Sequence, residues 1–227
     1  MKAFLPGVLL ALAIMLAPAV PADAGPLEDG AAAAKRGDYE TALRIWRPLA
    51  EQGDAEPQYN LGFSYANGEG VPQDYAEAVT WYRKAAEQGH AGAQFSLGTM
   101  YDRGEGIKRN RAIAAIWYRE AAKQGHAGAQ FNLGVMYEKG DGVPQDYAEA
   151  VKWYGNAAEQ DFAMAQVNLG GIYANGRGVP QDLVLAHLWF SLAAAAGTED
   201  AETNREAVAR LMTPDQIAEA RRLALQW

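Results

Sequence analysis

The chain has 227 residues, 49% of them apolar and 21% charged, with a formal net charge of -8 at pH 7. That apolar share suffices for a sizeable core, whereas an acidic chain without a long basic run is poorly suited to a nucleic-acid backbone, which needs clustered Lys and Arg. Cysteine is absent, which removes disulfides, thiolate metal sites and cysteine nucleophiles.

The first 24 residues read as an export signal. Lys2 supplies the charge, Val8 to Leu16 the apolar run, and Ala22-Asp23-Ala24 the small-residue cleavage site. The run is too short to span a bilayer comfortably, and no later segment approaches the ~20 apolar residues that a spanning helix needs. The expectation is an exported chain, soluble once the signal is removed, in the periplasm or the medium.

Residues 25–53 read as an abbreviated capping hairpin. An alanine-rich helix leads to a Gly37-Asp38 turn and then to YETALRIWRPLAEQG, where Ala42, Leu43, Trp46, Leu49 and Ala50 hold one helical face. From residue 54 one unit is written four times, as 54–89, 90–125, 126–161 and 162–197. Leu61-Gly62 returns as Leu97-Gly98, Leu133-Gly134 and Leu169-Gly170, while Trp81 returns as Trp117, Trp153 and Trp189, each 36 residues on. A fixed period of this length marks a stacked repeat architecture.

Inside a copy, Gln58, Leu61, Gly62 and Tyr65 fall on one face of a first helix, A. Ala78, Trp81, Tyr82, Ala85 and Ala86 form the buried stripe of a second helix, B. Gly62 costs its helix ~1 kcal/mol relative to alanine, and close packing where two helices cross is the expected compensation. A lone hairpin cannot cover its apolar faces, so neighbours must stack and the ends need polar caps. The far end, residues 198–227, is charged, leaves the period and divides at MTPDQ, where Thr213 is placed to cap a helix with Pro214 at its first position.

Between A and B each copy carries a glycine pair: Gly68/Gly70, Gly104/Gly106, Gly140/Gly142 and Gly176/Gly178. In YEKGDGVPQD, Tyr137 to Asp146, glycines and acids together resemble an ion or phosphate site. A phosphate loop needs Gly-Lys-Ser/Thr, and a dinucleotide fingerprint needs a third glycine after a strand; these pairs follow a helix. The spacing predicts a left-handed glycine ending A, Val143 turned inward, Pro144 blocking further helix and Asp146 capping B. Glu149, three residues beyond Asp146, predicts a capping box, repeated at Asp74/Glu77. Calcium is disfavoured because the loop lacks the alternating acids and final glutamate of a calcium loop, and Arg177 replaces Asp141 in the fourth copy.

His90 and His126 open their copies where others have Asp54 and Phe162, which favours a turn or helix-start role. Packed helices stand about 8–10 Å apart, so the two are poorly placed to share zinc. His187 lies in the last B helix, and no serine, histidine and acid signature surrounds it. No catalytic residue, cofactor site or metal site is assigned. The tryptophans, flanked by alanine at helical spacing, read as core.

The pattern AxAQxxLGxxYxxGxGVPxDxxxAxxWYxxAAxQG resembles the Sel-one-like repeat (SLR) family, relatives of the tetratricopeptide repeats, closely over 54–197 and loosely over 31–53. The resemblance implies an all-α fold: a solenoid of antiparallel helical hairpins in a right-handed alpha-alpha superhelix, its A helices lining a concave face that holds proteins or peptides. Lys108 and Asn110 depart from the loop proline and aspartate in the second copy, and DLVLAHLWF departs from the B pattern in the fourth. The family's cysteine-rich branch, reported to bind penicillin-like compounds, is excluded by composition.

On helix A the positions equivalent to 60, 63 and 67 point away from the buried set by roughly a third to half a turn. They read Asn60, Phe63, Asn67; Ser96, Thr99, Arg103; Asn132, Val135, Lys139; and Asn168, Gly171, Asn175. Amides in such a row suit the backbone of an extended ligand, and Arg103 with Lys139 forms a basic centre in an acidic protein. The expected function is that of a non-enzymatic adaptor or scaffold binding a protein or peptide through these residues, without its glycine. Envelope glycan binding or hydrolysis, and purely structural self-association, are the alternatives.

Overall fold

The computed structural model describes residues 25–227. The export signal read over residues 1–24 lies outside the described residues. Twelve α-helices and no strand occur among the described residues. Helices α1 (Pro26–Lys35) and α2 (Tyr39–Gln52) make the first hairpin. Four more follow: α3 (Ala55–Asn67) with α4 (Tyr75–Glu87), α5 (Ala91–Arg103) with α6 (Arg111–Lys123), α7 (Ala127–Lys139) with α8 (Tyr147–Ala158), and α9 (Ala163–Asn175) with α10 (Leu183–Ala195). Each helix from α1 to α10 packs on the next in sequence, while α11 (Ala201–Ala209) and α12 (Pro214–Ala224) both rest on α10. Contacts between chain neighbours make the molecule a quasi-one-dimensional stack.

The glycine of each Leu-Gly pair is a point of close approach. A Cβ added to Gly62, Gly98, Gly134 or Gly170 would stand 2.6–2.9 Å from the ring of Tyr82, Tyr118, Tyr154 or Phe190 on the following B helix. The ring thus occupies the space that any side chain would need, and its burial offsets the propensity lost. The B stripe is buried as expected in the first copy, and of its tryptophan column Trp81, Trp153 and Trp189 are each 8% exposed, whereas Trp117 is half-buried. On helix A, however, the face is rotated from the sequence reading. Pro57 and Ser64, and at the same position Met100, Met136 and Ile172, are buried, whereas Tyr65 is only half-buried. The reason is a second neighbour: helix A meets both its own B helix and the preceding one.

Gly140 ends α7 in the left-handed region (φ 72°), Val143 packs on the core of the preceding hairpin, and Asp146 caps α8. The predicted capping boxes do not form. Asp146 accepts from the amides of Ala148 and Glu149, but Glu149 Oε2 turns to the Trp153 Nε1–H at 3.0 Å, a buried donor it satisfies. Asp74 likewise caps α4 by accepting from Ala76 and Glu77, without a reciprocal bond from Glu77. The box occurs at Thr213 and Gln216, at the start of α12. The second glycine has a role of its own: a Cβ on Gly142 would meet the backbone of Arg111 at 2.5 Å, so each loop seats directly on the preceding hairpin.

Two polar ladders run along the stack. Gln58, Gln94, Gln130 and Gln166 donate to the carbonyls of Ala50, Ala86, Ala122 and Ala158 at 3.0–3.2 Å. Gln88, Gln124 and Gln160 donate to the side chains of the first three at 2.7 Å. In the second ladder Arg47, Arg83 and Arg119 bind the hydroxyls of Tyr65, Tyr101 and Tyr137. Both lapse at the fourth rung, where Ala196 and Gly155 stand at the donor positions, and Gln166 Oε1 is left without a partner. Among the described residues no helix is long and apolar enough to cross a membrane.

Candidate functional site

Successive A helices do not close against each other, and four hollows open between them along one side of the stack. The first, about 510 Å³, lies between α1 and α3 and includes Asn60 and Phe63. The second, about 220 Å³, holds Asn67, Ser96, Thr99 and Arg103. Asn132, Val135 and Lys139 line the third, about 200 Å³, and Asn168 and Asn175 the fourth, about 320 Å³. All the residues singled out on helix A thus lie in one row of hollows, the first three each built by two adjacent hairpins and the fourth by α9, α10 and α11 with Glu138 of α7.

Their chemistry differs from the sequence expectation in two respects. The amides of Asn67 and Asn175 donate to the carbonyls of Phe63 and Gly171 on their own helices, at 3.0 and 2.7 Å, as side chains at helix ends readily do. Arg103 and Lys139 do not share a centre either: they line separate hollows, and Arg103 lies 3.8 Å from Glu105. Lys139 makes no ion pair among the described residues.

Sequence reasoning missed two further contributors. The rings of Tyr82, Tyr118 and Phe190 pass through the gap left by the Leu-Gly glycines and form part of the second, third and fourth hollows. Burial raises the pKa of the Tyr82 and Tyr118 hydroxyls, and Tyr118 donates to Thr99 Oγ1 at 3.2 Å. Burial, then the 2.8 Å bond to Glu138, also raises that of Tyr154, so all three remain neutral donors. The other contributor is the residue between the loop glycines. Glu69, Glu105, Asp141 and Arg177 line hollows one to four in turn. Its signal was variation, Glu, Glu, Asp and Arg, inside an otherwise repeated loop.

Two of these loop residues, Asp141 and Arg177, bind across hairpins. Arg111 joins Asp102 of its own hairpin, at 3.0 Å, to Asp141 of the next. One boundary later the charges are exchanged: Arg177 faces Glu138 at 3.8 Å. Asp141, the acid that suggested calcium, is thus an ion-pair partner, and no group of three or more metal-ligating side chains occurs among the described residues.

The histidines are structural. His90 and His126 cap α5 and α7 by accepting the amides of Ala93 and Ala129 at Nδ1, and stack on Tyr59 and Phe95 at 4.6 and 4.4 Å. His90 Nε2 also meets Glu56 at 2.9 Å. Burial lowers the His126 pKa. His187 is buried in α10 beside Ser191, its pKa lowered by burial and then by Arg205 and Arg221.

The sequence profile of the Sel1 repeat matches residues 24–54, 56–90, 91–126, 127–162 and 163–198. The first match takes in the stretch read as an abbreviated hairpin. Among curated proteins nothing matches the chain. Among solved structures, it is similar to a protective antigen of uropathogenic Escherichia coli that displays an SLR fold, with 40% identity and a TM-score of 0.76. That match covers 79% of this chain and 39% of the antigen, so the chain spans well under half of that protein. It is also similar to a Sel1 repeat protein of Oxalobacter formigenes, with 36% identity and a TM-score of 0.75 over 79% of this chain and 74% of that one. An immunity protein of Pseudomonas aeruginosa shares the fold at 20% identity and a TM-score of 0.52, over 80% of this chain and 69% of that one.

Proposed function

Because this chain belongs to the Sel1 repeat family, whose helical solenoid is a protein-interaction fold, we propose that it is an exported, non-enzymatic adaptor whose A-helix groove holds an extended segment of a partner protein. The observation that carries this reading is the row of four hollows, three between adjacent hairpins and one between the last hairpin and α11, lined by the helix-A positions that vary between copies. A row of separate shallow pockets suits an extended segment that reaches several of them better than it suits one small ligand. Asn132 and Asn168, half-buried on the row, supply amide groups for a peptide backbone. Lys139 and Arg103, both exposed, suit an acidic stretch of the partner at the middle of the groove. Export rests on the sequence of residues 1–24 and places the partner in the periplasm or outside the cell.

The test is partner capture from a periplasmic extract on the immobilised protein. Arg103→Glu with Lys139→Glu should cut capture about tenfold, as expected where charges are reversed at an interface, without moving the melting temperature. Capture that is unchanged in this double variant removes the groove assignment.

A further inference from the structure

The four hollows are not alike in charge. The second, third and fourth each contain cationic and anionic side chains: Arg103 with Glu105, Arg111 and Lys139 with Asp102 and Asp141, and Arg177 with Glu138. The first is lined by two carboxylates, Glu56 and Glu69, and by no Lys or Arg. Four aromatic residues, Tyr39, Trp46, Tyr59 and Phe63, share its wall with Ala31, Ala34, Asn60 and Ser64. Phe63 is 44% exposed, an apolar ring left open to solvent on a face that elsewhere offers threonine, valine or glycine at its position. Glu56 shares one oxygen with His90, while the Glu69 carboxylate makes no hydrogen bond or ion pair among the described residues.

From this combination we infer that the first hollow receives an arginine side chain of the partner segment that lies in the groove. The inference rests on the groove reading and names one anchor within it. A guanidinium is planar, stacks on aromatic faces and donates to carboxylates in its plane, so it satisfies rings and acids together. A neutral apolar side chain would cover Phe63 but desolvate Glu69 without compensation. An acidic one would add a third negative charge. The volume, about 510 Å³, lies within the range of small-ligand pockets and admits a full arginine side chain.

The test uses four blocked pentapeptides, alanine throughout except for a central arginine, citrulline, leucine or glutamate, titrated into the protein while the Trp46 indole and Phe63 signals are followed by NMR. The arginine peptide should bind about tenfold more tightly than the citrulline peptide, the scale of a charge-assisted cation–aromatic contact. Glu69→Gln and Phe63→Ser should each reduce that ratio, while Arg103→Glu with Lys139→Glu leaves it unchanged. Equal affinity for arginine and citrulline, or a preference that survives both Glu69→Gln and Phe63→Ser, overturns the assignment. Loss of partner capture in the Arg103/Lys139 double variant without any arginine preference sinks this inference and leaves the groove standing. An arginine preference without any effect of the double variant on capture does the reverse.

Discussion

Gln160 donates its side-chain amide to Gln130 Oε1 at 2.7 Å, and Gln130 in turn donates to the carbonyl of Ala122 at 3.1 Å. Three hairpin elements are thereby tied by one buried amide: the end of α6, helix α7 and the turn after α8.

The ladder predicts its own repair. Ala196 stands where the earlier copies have glutamine, and its backbone (φ -78°, ψ 1°) is nearly that of Gln88 (φ -85°, ψ 1°). Ala196→Gln should supply the missing donor to Gln166 Oε1 and stabilise the protein by about 0.5–1.5 kcal/mol, the usual net value of one hydrogen bond. Thermal unfolding should show a rise of a few degrees, absent when Gln166→Leu is made in the same chain. Gln130→Ala should cost roughly 1–3 kcal/mol by stranding buried polar groups.

Two glycines separate close packing from plain propensity. Gly134→Ala puts a Cβ 2.6 Å from the Tyr154 ring and should destabilise by ~1–3 kcal/mol. A double-mutant cycle with Tyr154→Ala should recover part of that loss. In contrast, Gly155→Ala on α8 meets nothing within 4 Å and should stabilise by about 0.5–1 kcal/mol. Gly155→Arg should add the bond to the Tyr173 hydroxyl that its counterparts make. Chemical denaturation measures all four.

The Arg111 bridge is exposed and salt-sensitive. Its partners are about two-fifths exposed, so Arg111→Ala should cost no more than ~1 kcal/mol at low ionic strength. The difference from wild type should shrink at 1 M NaCl, where screening reaches about 3 Å. Melting curves at two salt concentrations decide the matter.

Acid should loosen the third copy through His126. Its pKa lies below the ordinary 6.5 because burial disfavours the cation, and protonation would turn the capping acceptor Nδ1 into a donor. The folded state therefore binds its proton later than the unfolded state does. The contribution to stability is complete above 6.5 and falls as pH drops from there toward the folded pKa. His126→Asn, which caps without titrating, should lose less stability between pH 7 and 5 than wild type. An identical pH slope in both proteins would show that His126 is not the sensor.

The sequence by itself determined the hairpins, the four repeats and the row of helix-A positions that reaches the groove. Those features are local: spacings of three and four residues set a helical face, a left-handed glycine ends a helix, and recurrence at 36 residues fixes the stacking unit. Tertiary structure decided which positions meet across hairpins. Asp141 and Arg111 lie 30 residues apart, and Glu69 shares the first hollow with Trp46 of the preceding hairpin, so the rotation of one hairpin on the next sets these approaches. It also turned Glu149 from a helix cap to the Trp153 indole, because a buried donor gains more from the carboxylate than an exposed helix end does. Local spacing specifies the unit; the pitch of the stack specifies what the unit presents to a partner.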